Sequence, residues 1–178
     1  RQYPTKSGTS YAIETEPRVR AVVTRLDNSP RYSRPPQKSG RVILYVSHQS
    51  ADVELRDEPL VKELLAAEPD VELYALDVRG IGDSRPDTCG TNSFLTPYGS
   101  DYFYAIHSLM LDQSIPTQRA FDVLRVVDWL KAQGRTEIHL AARGWGSIPA
   151  TLAAVFSDEV KQVTLKNALT SWASVAEA

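Results

Sequence analysis

Residues 137–154 read Glu-Ile-His-Leu-Ala-Ala-Arg-Gly-Trp-Gly-Ser-Ile-Pro-Ala-Thr-Leu-Ala-Ala: a short apolar strand, a tight turn and a helix of small residues. This is the layout of a nucleophile elbow, in which small residues flank a side chain raised on a strained strand-to-helix turn to attack a carbonyl. Ala142 and Gly146 are the small flanks, and Gly144 holds the position that Ser, Cys or Asp would take. A glycine brings no oxygen or sulfur. The segment therefore carries the scaffold for acyl transfer without its attacking atom.

A substitute hydroxyl needs a base within hydrogen-bond reach. Ser147, three residues beyond Gly144, falls on the first helical turn, where serine more often caps backbone N–H groups. Ser84 lies in a loop and has the same need. The candidate bases are His48, His107 and His139. His139 alternates with Ile138 and Leu140 inside the elbow strand and reads as a hydrogen-bonded interior residue. His107 sits among tyrosines on a short helix and reads as a lid or surface residue. His48 stands at a strand end facing the site. A histidine–carboxylate pair poised beside a hydroxyl would reverse the reading of an inactive elbow. Three scattered histidines without His-x-x-x-His or Cys-x-x-Cys spacing make no ligand cluster, so neither a metal nor a cofactor is expected. The carboxylate pairs Asp83/Asp87 and Asp122/Asp128 read as ordinary loop and helix-face charges.

A second constellation, Asp77-Val-Arg79-Gly80-Ile-Gly82-Asp-Ser84, directly follows a strand. Its glycines suit a tight turn or a close backbone approach to a ligand. A Gly-x-Gly-x-x-Gly reading fails, because only Gly80 and Gly82 are present and no helix opens there. Arg79 is expected to pair with Asp77 or Asp83 and pin the loop, which makes the block a structural turn beside the elbow.

The elements that must position these residues follow from periodicity. Residues 1–10 read as a flexible polar arm. Segments 11–15 and 18–26 follow, the second alternating enough to be a strand. Residues 28–40 hold Pro30, Pro35 and Pro36 and form a loop. The run 41–46 is continuously apolar, as a strand buried on both faces of a parallel sheet must be. A helix is expected over 58–68 with Pro59 in its first turn, then a strand over 71–76 and a long Gly- and Pro-bearing loop over 79–99. A short helix over 101–111 precedes the strongest helix, 117–133, opened by Pro116 and closed by Gly134. Its stripe of Ala120, Phe121, Leu124, Val127 and Leu130 should face the core, with Arg119, Asp122, Arg125 and Asp128 turned away. The elbow, a last strand over 160–165 and a ragged end over 170–178 complete the chain.

Strands alternating with helices predict an α/β fold, a three-layer α/β/α doubly wound and mostly parallel sheet with four or five central parallel strands. Residues 1–40 supply the arm, outer strands and Pro-rich loop, and residues 41–178 the core. The 160–165 strand would be a sheet edge although its apolar residues suit an interior place. It is expected to be covered by another chain, by the 170–178 tail or by a missing segment.

With 178 residues and 42% hydrophobic content, the chain can build one domain-sized core. A formal net charge of -2 argues against a dedicated nucleic-acid binder, which would show a basic stripe. The lone cysteine, Cys89, excludes an internal disulfide framework. No apolar run approaches the roughly 20 residues of a membrane span, and no signal-peptide pattern is present. The compartment is not fixed by this, and an exported one remains compatible. Opening on Arg1 instead of methionine suggests a processed or excised chain.

The Asp77-x-Arg79-Gly80-x-Gly82-x-Ser84 block resembles the motif after the fourth strand in many esterases of the α/β-hydrolase superfamily. The resemblance covers about residues 40–170. Within the superfamily the chain looks most like the acetyl xylan esterase and cephalosporin-deacetylase group, with its Arg-Gly-Gln signature and Gly-x-Ser-Gln-Gly elbow. Here Ile81 replaces the glutamine and Gly144 the serine. The resemblance implies a partial α/β-hydrolase fold and an oxyanion hole from the backbone N–H groups of Trp145 and of Gln49 or its neighbours. It also implies an acid and a histidine on loops after two further strands. Residues 147–178 hold room for one helix, one strand and a tail, and no histidine. The expectation is a catalytically incomplete module, accessory or scaffold part of a larger esterase-type protein. The alternatives are a carboxyl-ester hydrolase completed by another segment or subunit, and a pseudo-hydrolase binding a ligand or protein in the inherited cleft. An aromatic rim at Tyr98, Tyr102, Phe103 and Tyr104 would favour the last.

Overall fold

Val42, Leu44 and Val46 alternate with Ile43 and Tyr45 along β3 (Gly40–Val46), and all five are wholly buried. A strand sealed on both faces belongs at the centre of a sheet covered by helices on each side. The computed structural model describes residues 3, 6–27, 35, 40–85, 101–171 and 173 and places β3 there. The sheet order is β1 (Ser7–Glu16), β2 (Val19–Asp27), β4 (Glu72–Asp77), β3, β5 (Arg135–Arg143) and β6 (Val160–Lys166). Strands β4, β3, β5 and β6 run parallel, β2 lies antiparallel to β4, and β1 antiparallel to β2. The parallel part thus has four strands, with an antiparallel hairpin on its flank.

Helices α1 (Ala51–Asp57) and α2 (Pro59–Ala67) cover one face, packing with Ile43, Tyr45, Leu73, Ala75 and Ala141. On the other face α4 (Ile115–Ala132) and α5 (Ser147–Phe156) meet Val42, Leu44, Val46, Leu76, Leu140 and Ala142. The short helix α3 (Asp101–Met110) contacts α4. Each fully buried Leu or Val contributes about 1.5–3 kcal/mol, so the two cores hold the sheet between its layers. The α2 start is set by Pro59 and by Glu58, whose side chain accepts the Leu60 N–H; Ser114 caps α4 through the Thr117 N–H.

Three expectations need correction. The arm over 1–10 gives way at Ser7 to β1, because pairing with β2 satisfies its backbone from Ser7↔Asp27 onward. Helix α1 was not anticipated: seven residues with few apolar positions give no readable period. In α4 the buried side is Ala120, Val123, Val126, Val127 and Leu130, whereas Phe121 is 40% exposed and Asp122 is wholly buried. Hydrophobicity alone rotated that stripe, because the ion pair that draws Asp122 inward comes from elsewhere in the chain. The loop over 28–40 (residues 35 and 40 apart), residues 86–100 with Cys89 and Tyr98, the end beyond residue 173, and the side chains of Tyr102 and Phe103 lie outside the described residues. Among the described residues no helix is long and apolar enough to cross a membrane.

Candidate functional site

Strand β5 ends at Arg143, and a single 3-10 turn, Gly144–Gly146, leads straight into α5. Gly144 has φ +51°, the left-handed conformation that a side chain at this turn would have to tolerate. At Gly146 a Cβ would lie 2.5 Å from the Val46 carbonyl oxygen and 2.8 Å from that of Ser47, so only glycine lets the turn rest on the end of β3. The strand–turn–helix geometry of an elbow is therefore present at the carboxyl end of the sheet.

His48 fills the place beside it. Its Nδ1 accepts the Trp145 backbone N–H at 3.0 Å. A Cβ on Gly144 would stand 2.8 Å from the same nitrogen. An accepting Nδ1 carries no proton, so the ring is neutral in this arrangement with its hydrogen on Nε2. The imidazole thus sits where a nucleophilic side chain would rise and takes up the N–H implied as an oxyanion donor. The Trp145 indole does not fill the space; it is 66% exposed.

The second implied donor is also engaged. Buried Glu54 accepts the backbone N–H groups of His48 (2.9 Å), Gln49 (2.7 Å) and Ser50 (3.1 Å) on Oε1, and the Tyr45 hydroxyl at 2.5 Å on Oε2. Burial, reinforced by that carboxylate, pushes the Tyr45 phenol far up from its ordinary range and keeps it a donor. The turn after β3 is wound around a side-chain anion of its own.

The 77–84 block acts as a clamp. Asp77 accepts from Ser47 Oγ (2.6 Å), Ala51 N (2.7 Å) and Asp83 N (2.9 Å). Burial lifts its carboxyl above the usual carboxylate range, while these three bonds pull the other way. The Gly82 N–H donates to the Gln49 carbonyl and the Gly80 N–H to that of Ser84. Ser84 Oγ donates to the Asp77 carbonyl (2.6 Å) and accepts the Val22 N–H (3.0 Å), tying the loop to β4 and β2. Arg79 does not pair with Asp77 or Asp83. It reaches α4, where Nη2 and Nε hold the two oxygens of Asp122 at 2.6 and 2.9 Å, and its Nη1 meets Glu16 at 2.7 Å. Asp77 is already satisfied from the β3 side, and the buried carboxylate of Asp122 has greater need of a cation.

The remaining candidates separate. Ser147 Oγ donates to the Gly144 carbonyl at 2.6 Å and braces the turn. His107 is exposed on α3. His139 is buried, with Nδ1 2.8 Å from Glu68 Oε1 and Nε2 2.8 Å from Thr164 Oγ1. A hydroxyl–imidazole–carboxylate array, the arrangement expected to reverse the reading of an inactive elbow, therefore exists on the α2 side of the sheet, away from Gly144. Its imidazole is 2% exposed. Glu68 also takes Arg41 Nε at 2.5 Å, and Arg41 first, then His139, holds its carboxyl below the usual range. Neither Glu68 nor Thr164 was singled out from sequence: they lie 71 and 25 positions from His139, and only the β5–β6 register and the end of α2 join them. Among the described residues no group of His, Cys, Asp or Glu is placed to hold a metal ion.

No protein-family model matches the chain, and no curated protein matches it by sequence. Solved structures do match its fold. A candidate acetyl xylan esterase from Bacteroides fragilis aligns with a TM-score of 0.60 and 14% identity, over 92% of this chain and 48% of its own. An esterase from Pyrococcus furiosus aligns with a TM-score of 0.54 and 16% identity, over 88% and 49% respectively. A bottromycin epimerase aligns with a TM-score of 0.50 and 18% identity, over 88% and 47%. The chain has a partial α/β-hydrolase fold, and it spans about half the length of these structures.

Proposed function

We propose that this chain is a catalytically incomplete α/β-hydrolase module, of the acetyl xylan esterase kind, serving as an accessory or scaffold part of a larger esterase-type protein. One observation carries the reading: His48 occupies the nucleophile's place at Gly144 and holds the Trp145 N–H. Attack on an ester needs a nucleophile, a base and two donors aimed at the developing oxyanion. Here the first is a glycine, and the donors at Trp145 and Gln49 already serve His48 and Glu54. Fold likeness does not supply the chemistry, since an epimerase shares the fold as esterases do.

The test is hydrolysis of p-nitrophenyl acetate by the purified chain and by Gly144→Ser. Both should run at the uncatalysed rate, because the new serine would have no free oxyanion donor. Rapid turnover by the unmodified chain overturns the proposal.

A second reading, an active carboxyl-ester hydrolase, is favoured by the Thr164–His139–Glu68 array. Its spacing suits a nucleophile, base and orienting acid. Burial of the imidazole counts against it, because the base would have to act where a substrate has no room. Thr164→Val separates the two: it abolishes any turnover that runs through this array and leaves a merely structural tie without kinetic effect.

The module reading also calls for a partner at β6. Val163 and Leu165 are 42% and 38% exposed, and Val155 and Phe156 of α5 are each 75% exposed. An apolar edge of this kind takes another strand. That strand would come from a second chain or from a further segment of the larger protein.

A further inference from the structure

We infer that a cleft flanking the β1–β2 turn and the 79–85 loop binds an organic phosphate ester. The cleft encloses about 600 Å³, the size of a small-molecule site. Among the described residues five arginines line it, Arg18, Arg20, Arg79, Arg85 and Arg119, against one acidic residue, Asp83. The whole chain carries a net charge of -2, so this concentration of guanidinium groups is local.

The five do not play one part. Arg79 is held by Asp122 and Glu16, and its backbone carbonyl takes Arg119 Nε at 3.0 Å, so these two form an ordered wall. Arg18 and Arg20, on the β1–β2 turn and the start of β2, are exposed and have no ion-pair partner among the described residues. Glu14 stands opposite Arg20 in the β1–β2 register and accepts the Arg18 backbone N–H at 3.0 Å, without an ion pair to either guanidinium. Guanidinium forks match the oxygens of phosphate in a bidentate geometry. Ile115, the first residue of the 18-residue α4, also lines the cleft and brings the positive end of the helix toward it.

The rest of the lining sets the remainder of the ligand. Ala12, Val19, Val22 and the Tyr104 ring give an apolar wall beside the cations. An inorganic anion would leave that wall unused. A phosphate carrying a flat organic body would use both, its phosphoryl oxygens on Arg18 and Arg20 and its body against Tyr104 and Val22. The cleft opens at the carboxyl end of β4, where parallel α/β sheets commonly bind ligands, yet Gly144, Trp145 and His48 are not among its lining residues. The inference therefore does not rest on whether the elbow is active.

Calorimetric titration of the full chain with AMP, with adenosine as the uncharged match and citrate as a carboxylate anion, tests it. AMP should bind saturably and about tenfold or more tighter than adenosine, with citrate weaker than AMP. Affinity should fall as salt rises. The double variant Arg18→Gln with Arg20→Gln should weaken AMP binding about tenfold or more, with an unchanged thermal midpoint, since both side chains are exposed. Gly144→Ser should leave AMP binding unaltered. Equal affinity for AMP and adenosine, tighter citrate than AMP, or unchanged binding in the Arg18/Arg20 variant overturns the inference.

Discussion

Arg79 and Asp122, 43 positions apart, are joined by three hydrogen bonds: Nη2 to Oδ1 at 2.6 Å, and Nε and the backbone N–H both to Oδ2 at 2.9 Å. Thr15 Oγ1 adds a fourth donor at 2.7 Å. One wholly buried carboxylate thus locks the loop after β4 to the middle of α4 and to β1.

Asp122→Ala should cost about 3–5 kcal/mol, because it strips a partly buried guanidinium of its buried partner and leaves only the more exposed Glu16 as counter-charge. Urea unfolding measures this. Replacing both partners, Arg79→Met with Asp122→Leu, should recover most of the loss, since two desolvated charges leave together. A loss below about 1 kcal/mol in the single variant would place the pair with exposed ion pairs of little worth.

Gly144→Ser should destabilise the chain by about 1–2 kcal/mol, as a side chain is forced into the left-handed region at φ +51°. A further cost comes from the contact between the new Cβ and His48 Nδ1. Adding His48→Ala should relieve that contact while leaving the backbone strain, so the double variant should be more stable than Gly144→Ser alone. Ester hydrolysis should stay at background in both. If His48→Ala deepens the loss instead, the imidazole supports the turn more than it crowds it.

The parts legible in sequence were those written in consecutive residues. The apolar run at 41–46 and the elbow at 137–154 announced a central strand and a strand–turn–helix, and both stand where expected. His48 was recognisable as a strand-end residue facing the site. That its ring would meet Gly144 could not be read, because the contact depends on how the turns after β3 and β5 meet. Asp122 looked like one of four polar residues on the outer side of a helix. Its inward turn is dictated by Arg79 and Thr15, and no local period encodes that. The same holds for Glu68 and Thr164 around His139.

Stability should fall in acid partly through Glu68. Arg41 and His139 hold its folded pKa below its ordinary 4.5. Its contribution is therefore complete above that value and is lost as pH drops through the depressed one. Asp77 acts in the opposite sense: burial raises its pKa, so its contribution is present in acid and lost as pH rises. Comparing wild type with Glu68→Gln isolates the first effect. The gap between them, followed by urea midpoints, should stay constant at pH well above 4.5 and narrow as pH falls below that value. A constant gap would show that Glu68 contributes through packing alone.

The exposed apolar edge makes a claim about solution behaviour. Strand β6 pairs with β5 on one side, and its other side ends the sheet order. Val163 and Leu165 on the strand and Val155 and Phe156 on α5 extend this edge into an apolar surface. In isolation, with no further strand supplied, copies of the chain should meet there, and the mass from light scattering should rise with concentration. Val163→Lys with Leu165→Lys should hold the mass at that of one chain, since lysines on an edge oppose strand addition. The thermal midpoint should scarcely change, because neither side chain is buried in the core. A chain that stays monomeric at every concentration, with slow amide exchange along β6, would mean that the edge is already protected and needs no partner.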